Sequence, residues 1–168
     1  LAPVLAWLPA AGADAEAKVL PSTKQEDHFL LTGDGVLSPV VLAQTGFPVM
    51  GKDGAPGRLP LFYLRSHEAG PESAVADLKP AMTLDLVPEG KNRVRVFFRS
   101  LPVPQATLTL MAGGKESELT ADSEGRVTLP VCPAGPTLLT ANQKEDLPGV
   151  HLGKFYSITS HNASLAWV

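Results

Sequence analysis

The sequence predicts an all-β fold, a Greek-key β-sandwich with at most one short helix, on three observations. Glycine and proline punctuate the whole chain, with 15 Gly and 16 Pro in 168 residues; spacing that dense breaks helices and favours short strands. The segment "RVRVFFR" alternates strictly, setting Val94, Val96 and Phe98 against Arg93, Arg95 and Arg99. A period of two built from β-branched and aromatic residues belongs to a half-buried strand. Finally, about six such segments follow one another between Met82 and Val168, at the spacing of a Greek-key sandwich.

Taken in order, the N-terminal half (1–80) reads as a β-rich segment that packs on or extends the sandwich. "DHFLLTG", "SPVVLAQ" and "RLPLFYLR" are its strands, Gly51–Pro60 is a long loop, and Ser66–Met82 holds the one short helix or an ordered linker. The sandwich proper occupies 81–168. After "RVRVFFR", "LPVP" interrupts pairing, because proline has no N–H to give a ladder. "ATLTLM" sets Ala106, Leu108 and Leu110 opposite Thr107 and Thr109, and Gly113-Gly114 turns the chain where both positions tolerate positive φ. "KESELT" returns as a polar edge strand, guarded from aggregation by Lys115, Glu116 and Glu118. "DSEG" has Asp first and Gly last, as a type I turn prefers. "RVTLPV" then points Val127, Leu129 and Val131 inward, "CPAGP" reverses the chain, "TLLTAN" runs back, and "NASLAWV" places Ala163, Leu165 and Trp167 on one side.

Composition narrows the function classes. A net charge of −3 argues against a nucleic-acid partner, and the basic residues Lys91, Arg93, Arg95 and Arg99 read as an outward, solvated strand face. No run of 18 apolar residues exists to span a membrane as a helix. Cys132 is the single cysteine, so neither an internal disulfide nor a paired-cysteine metal knuckle can form; it reads as a small buried hydrophobe. The chain opens on Leu1, and "LAPVLAWLPAAGADAEA" is Ala-rich, with Ala13-Asp14-Ala15 resembling a signal-peptidase site. It is either the tail of an export signal or the first ordered segment of an exported protein.

"MTLDLVPEG", "VRVFFRSLPVPQATLTLM", "LTADSEGRVTLPVCPAGPTLLTANQKE" and "GKFYSITSHNASLAWV" together resemble the DUF4198 family of exported bacterial proteins. Its order of a strand ending in Pro, a proline kink, a T-D-x-x-G-r turn, a Gly-led strand and a closing strand after Tyr is matched by Pro88, Pro102, Pro104, Thr120, Asp122, Gly125, Arg126, Gly135 and Tyr156. The likeness covers Met82–Val168, and its turn pattern is shared by carboxypeptidase-regulatory-like and other Ig-like sandwiches. The resemblance implies a periplasmic or secreted accessory protein of nickel or cobalt uptake, working with a metal-transport membrane protein or an envelope receptor. Family members commonly begin with His-x-x-Trp-Leu; here Trp7 and Leu8 are kept and Val4 stands at the His position.

The candidate ligands for a transition-metal ion (Ni, Co, Cu or Zn) are His28, His67, Glu68, His151 and His161. "EDH" (Glu26, Asp27, His28) and "HE" (His67, Glu68) each pair imidazole with carboxylate, and His151 and His161 flank "GKFYSITS". A site needs two or three such groups converging at about 2 Å from the ion, and no two imidazoles have the local spacing that shows one in sequence. No catalytic signature is present: there is no G-x-S-x-G elbow and no Gly-rich phosphate loop. Asp122 and Glu124 belong to a plain turn rather than a calcium loop. Trp7, Trp167, Phe97 and Tyr156 read as core. The expectation is a non-enzymatic protein, with a structural or adhesive module for a protein or glycan as the alternative.

Overall fold

The structure is a computed structural model and describes residues 4–8, 16–26, 28–32, 40–51, 57–68 and 79–167. It is all-β. Its strands are β1 (Leu5–Leu8), β2 (Lys18–Leu20), β3 (Ser22–Lys24), β4 (Phe29–Leu31), β5 (Val40–Gly46) and β6 (Arg58–His67), followed by β7 (Leu84–Gly90), β8 (Arg93–Phe98), β9 (Leu101–Pro102), β10 (Thr107–Ala112), β11 (Lys115–Thr120) and β12 (Arg126–Thr128). β13 (Thr137–Glu145), β14 (Gly149–His151), β15 (Lys154–Tyr156) and β16 (Ile158–Trp167) complete the chain. Among the described residues no helix is long and apolar enough to cross a membrane. The helix expected within Ser66–Met82 falls on 69–78, outside the described residues, as do Asp27, 9–15 and 52–56.

Two sheets face each other. The larger runs β11-β10-β13-β16-β6-β5-β1-β2, and the smaller runs β12-β8-β7 with β9 also on β8. The chain crosses between them repeatedly: β10 and β11 form a hairpin in the large sheet, β12 crosses to pair with β8, and β13 returns beside β10. The core is filled from both inner faces. Leu108 and Leu110, Leu139 and Ala141, and Ala163, Leu165 and Trp167 come from the large sheet; Leu84 and Leu86, Val94 and Val96, and Val127 come from the small one, with Leu129 added just past the end of β12. Each fully buried Leu contributes about 1.5–3 kcal/mol over leaving it in water. A second cluster (Ala6, Leu20 and Ala43, with Leu31 against it) lies at the β1–β5 end of the large sheet.

The turns are made by the residues expected to make them. Gly113 and Gly114 take φ of +55° and +73° between β10 and β11, the left-handed pair that matches strand twist. Asp122 closes the next turn through its Oδ1, which accepts from the backbone N–H of Glu124 and Arg126 at 2.8 Å each. Gly125 there has φ of +76°, and a Cβ would sit 3.0 Å from the Val103 nitrogen, so the position needs glycine.

Four details differ from a purely local reading. β16 pairs with β6 in parallel, from Ile158↔Arg58 through Trp167↔His67, whereas alternation alone suggests only antiparallel layers; through this pair the large sheet is continuous across residue 80. Val131 points to solvent, because β12 ends at Thr128 and the chain leaves the sheet before reaching it. Cys132 is half-buried rather than fully enclosed. Lys91 also leaves the basic strand face: with Asn92 it forms the β7–β8 turn at φ of +54° and +59°.

Candidate functional site

β6 inverts the usual pattern of a half-buried strand. Its inward residues include Tyr63, Arg65 and His67, all buried, while Phe62 and Leu64 face out. Buried polar groups must find partners or cost about 1–3 kcal/mol each. Tyr63 finds one on the neighbouring strand. Its hydroxyl lies 2.9 Å from His161 Nδ1, and the two rings stack with centroids 5.9 Å apart.

From His161 the contacts run outward. Its Nε2 lies 2.9 Å from Glu145 Oε2, which in turn accepts from Arg99 Nη2 at 3.0 Å. Phe98 meets the imidazole edge-on at 5.1 Å, and the Arg99 guanidinium lies over the Phe98 ring. The chemistry fixes the tautomer. An ionised carboxylate only accepts, so neutral His161 carries its proton on Nε2 and takes the Tyr63 O–H at Nδ1. Burial tends to raise the Glu145 carboxyl, but the hydrogen bonds from Arg99 and His161 outweigh it and hold the group below its ordinary range. Burial also raises the Tyr63 phenol, against a hydrogen bond with Thr83, so it stays protonated. With both ring nitrogens engaged, His161 keeps no lone pair for a metal. The row from Tyr63 to Arg99 ties β6, β16 and β13 to the turn that follows β8.

Arg65 is anchored separately. Its Nε and Nη2 donate to the two carboxylate oxygens of Asp85 at 3.0 and 2.6 Å, and the pair is almost fully enclosed, at 1% and 0% exposed. Asp85 also accepts from the Ala81 N–H at 2.9 Å. His67 sits next along the same face. Burial first, then the nearby Arg65 charge, lower its pKa to about 4 against a partial offset from Asp85, and its Nε2 has no hydrogen-bond partner. Since the unfolded chain takes up this proton near pH 6.5 and the folded chain only near 4, the neutral ring stabilises the fold fully above pH 6.5. That stability drains away as pH falls towards 4. Replacing His67 by Leu is therefore expected to flatten the acid limb of thermal stability between pH 6.5 and 4 relative to the parent, as measured by melting at each pH.

The other candidate ligands are scattered. His28 lies exposed in the turn before β4, Glu68 is exposed just past β6, and His151 ends β14 half-buried with an unpartnered Nε2. Among the described residues no three His, Cys, Asp or Glu side chains gather as a ligand set. Sequence reasoning missed Tyr63, Arg65, Asp85, Arg99 and Glu145 as members of polar clusters. The signal available was an Arg and a His on the same side as Tyr63 in β6.

One surface stands out beside these interior groups. β14 and β15 form a hairpin with Val150 opposite Phe155, turned by Leu152 and Gly153 at φ of +49° and +76°. Val150, Leu152 and Phe155 are 70%, 77% and 64% exposed. The base of the hairpin is fixed to the body, since Ser157 donates to the Gly57 carbonyl at 2.9 Å. Comparison with family models, curated proteins and solved structures returns no match.

Proposed function

We propose that this chain is a non-enzymatic accessory protein of the bacterial envelope, serving transition-metal uptake by docking a protein component of the transport system. The observation that supports docking is the hairpin of β14 and β15, which holds three large apolar side chains in water on a fixed base. Exposed apolar groups gathered on a projecting element mark contact sites. Among the described residues His28, His67, His151 and His161 do not gather with other ligand side chains, so the reading rests on contact with a partner. The envelope setting and the metal come from the sequence resemblance over Met82–Val168.

A photo-crosslinking residue in place of Leu152, in cells starved of nickel and cobalt, tests the reading. An adduct with a metal-transport membrane protein or its receptor, lost when Val150 and Phe155 are both changed to Ser, is the expected result. Adducts only with proteins unrelated to metal transport overturn it. Titration calorimetry of chelator-treated protein with Ni²⁺, Co²⁺, Cu²⁺ and Zn²⁺ distinguishes the ion-carrying version, for which one of the four gives saturable heat.

A further inference from the structure

The outward face of the large sheet carries a pattern unrelated to the apolar hairpin. Register places Thr109, Thr140, Ser164 and Leu64 side by side across β10, β13, β16 and β6. One step along the strands, Asn142, Asn162 and Phe62 form the next row, with Thr107 at its β10 end. Neighbours within a row are about 4.8 Å apart and successive rows roughly 6.6 Å apart, by strand geometry. All of these but Leu64 line a shallow groove of about 400 Å³, within the range of small-ligand sites. From the groove, we infer that this face binds a neutral oligosaccharide.

Three features point to that ligand class. First, no side chain lining the groove is ionisable, which disfavours anions, cations and nucleic acid and suits an uncharged ligand rich in hydroxyls. Second, the amides are fixed in advance by bonds within the sheet, while the hydroxyls beside them are left unused. The Asn142 amide donates to Ser160 Oγ at 3.0 Å and Asn162 Oδ1 at 2.8 Å, and the Asn162 amide donates to the Leu61 carbonyl at 3.0 Å. Both amides are thereby held in place. Among the described residues the hydroxyls of Thr107, Thr109, Thr140 and Ser164 make no side-chain hydrogen bond within the chain, leaving a lattice of donors and acceptors facing water. Third, Phe62 is 39% exposed beside Asn162, and Phe47 holds it edge-on with centroids 5.0 Å apart. A fixed aromatic beside hydroxyl and amide groups offers an apolar seat for the C–H face of a sugar ring while its hydroxyls reach the Thr and Asn side chains. A site built to hydrogen-bond hydroxyls discriminates against ligands lacking them.

The test is calorimetric titration of the intact chain with maltohexaose, cellohexaose and chitohexaose, with a heparin hexasaccharide as the charged control. Saturable binding to at least one neutral hexasaccharide is expected, weakened at least tenfold by Phe62→Ala and by Thr140→Val, and unchanged by Leu152→Ser. Thr140→Val keeps the shape of the strand and removes only a hydroxyl, so it answers even if Phe62→Ala perturbs the sheet. Silence towards all three neutral sugars overturns the inference. So does preferential binding of the heparin fragment, or binding that Thr140→Val leaves intact. Self-association in sedimentation that Phe62→Ala abolishes also overturns it, since a second copy would then cover this face.

Discussion

Asp85→Ala is expected to cost about 3–5 kcal/mol of stability, because it leaves the Arg65 guanidinium charged in an enclosed place with no counter-ion. For a domain of this size the melting temperature falls about 2–4 °C per kcal/mol. The loss comes from stranding the charge, since attraction within a buried pair is largely offset by the dehydration of both ions. A second variant makes that distinction. Changing Arg65 to Met and Asp85 to Leu together removes both charges and is expected to recover most of the loss. Urea unfolding checks both: a double variant as unstable as Asp85→Ala refutes this account.

Leu165→Ala is expected to cost about 2–5 kcal/mol, combining lost transfer energy with the cavity left behind. The residue is fully buried in β16, opposite Leu139 on one side and Arg65 on the other. Two neighbouring ladders hold its surroundings, so the site cannot collapse to fill the gap, which places the expected value in the upper part of the range. Val131→Ala is the contrasting control. That side chain is exposed, and the change should stay within about 0.5 kcal/mol. Equal losses at the two positions, in denaturant titration, would contradict the packing described.

The layers were legible wherever local pattern and burial agree. β8 alternates in sequence and buries Val94 and Val96 as its period requires, and the Gly113-Gly114 and Asp122–Gly125 turns follow from φ preference and a side-chain cap. β6 was legible as a strand but not in its orientation. Its apolar Phe62 and Leu64 face out because Tyr63 and Arg65 have polar partners inside, and His67 follows them on the same face with its Nε2 unpaired. Two of those partners, Asp85 and His161, lie 20 and 98 positions away along the chain. Periodicity measures apolarity residue by residue and carries no information about a counter-ion supplied by another strand. The Thr and Asn rows of the outer face had the same fate: in sequence they read as the wet side of strands, and only strand register sets them beside each other.

The parallel pairing of β16 with β6 has a kinetic consequence. It joins residues a hundred positions apart, so the middle of the large sheet closes only after a long search, and folding is expected to be slow for the chain's size. Until that closure, both strands show bare hydrogen-bonding edges to any neighbouring chain. The interval between emergence of β6 and arrival of β16 is when a chaperone would matter most to this protein.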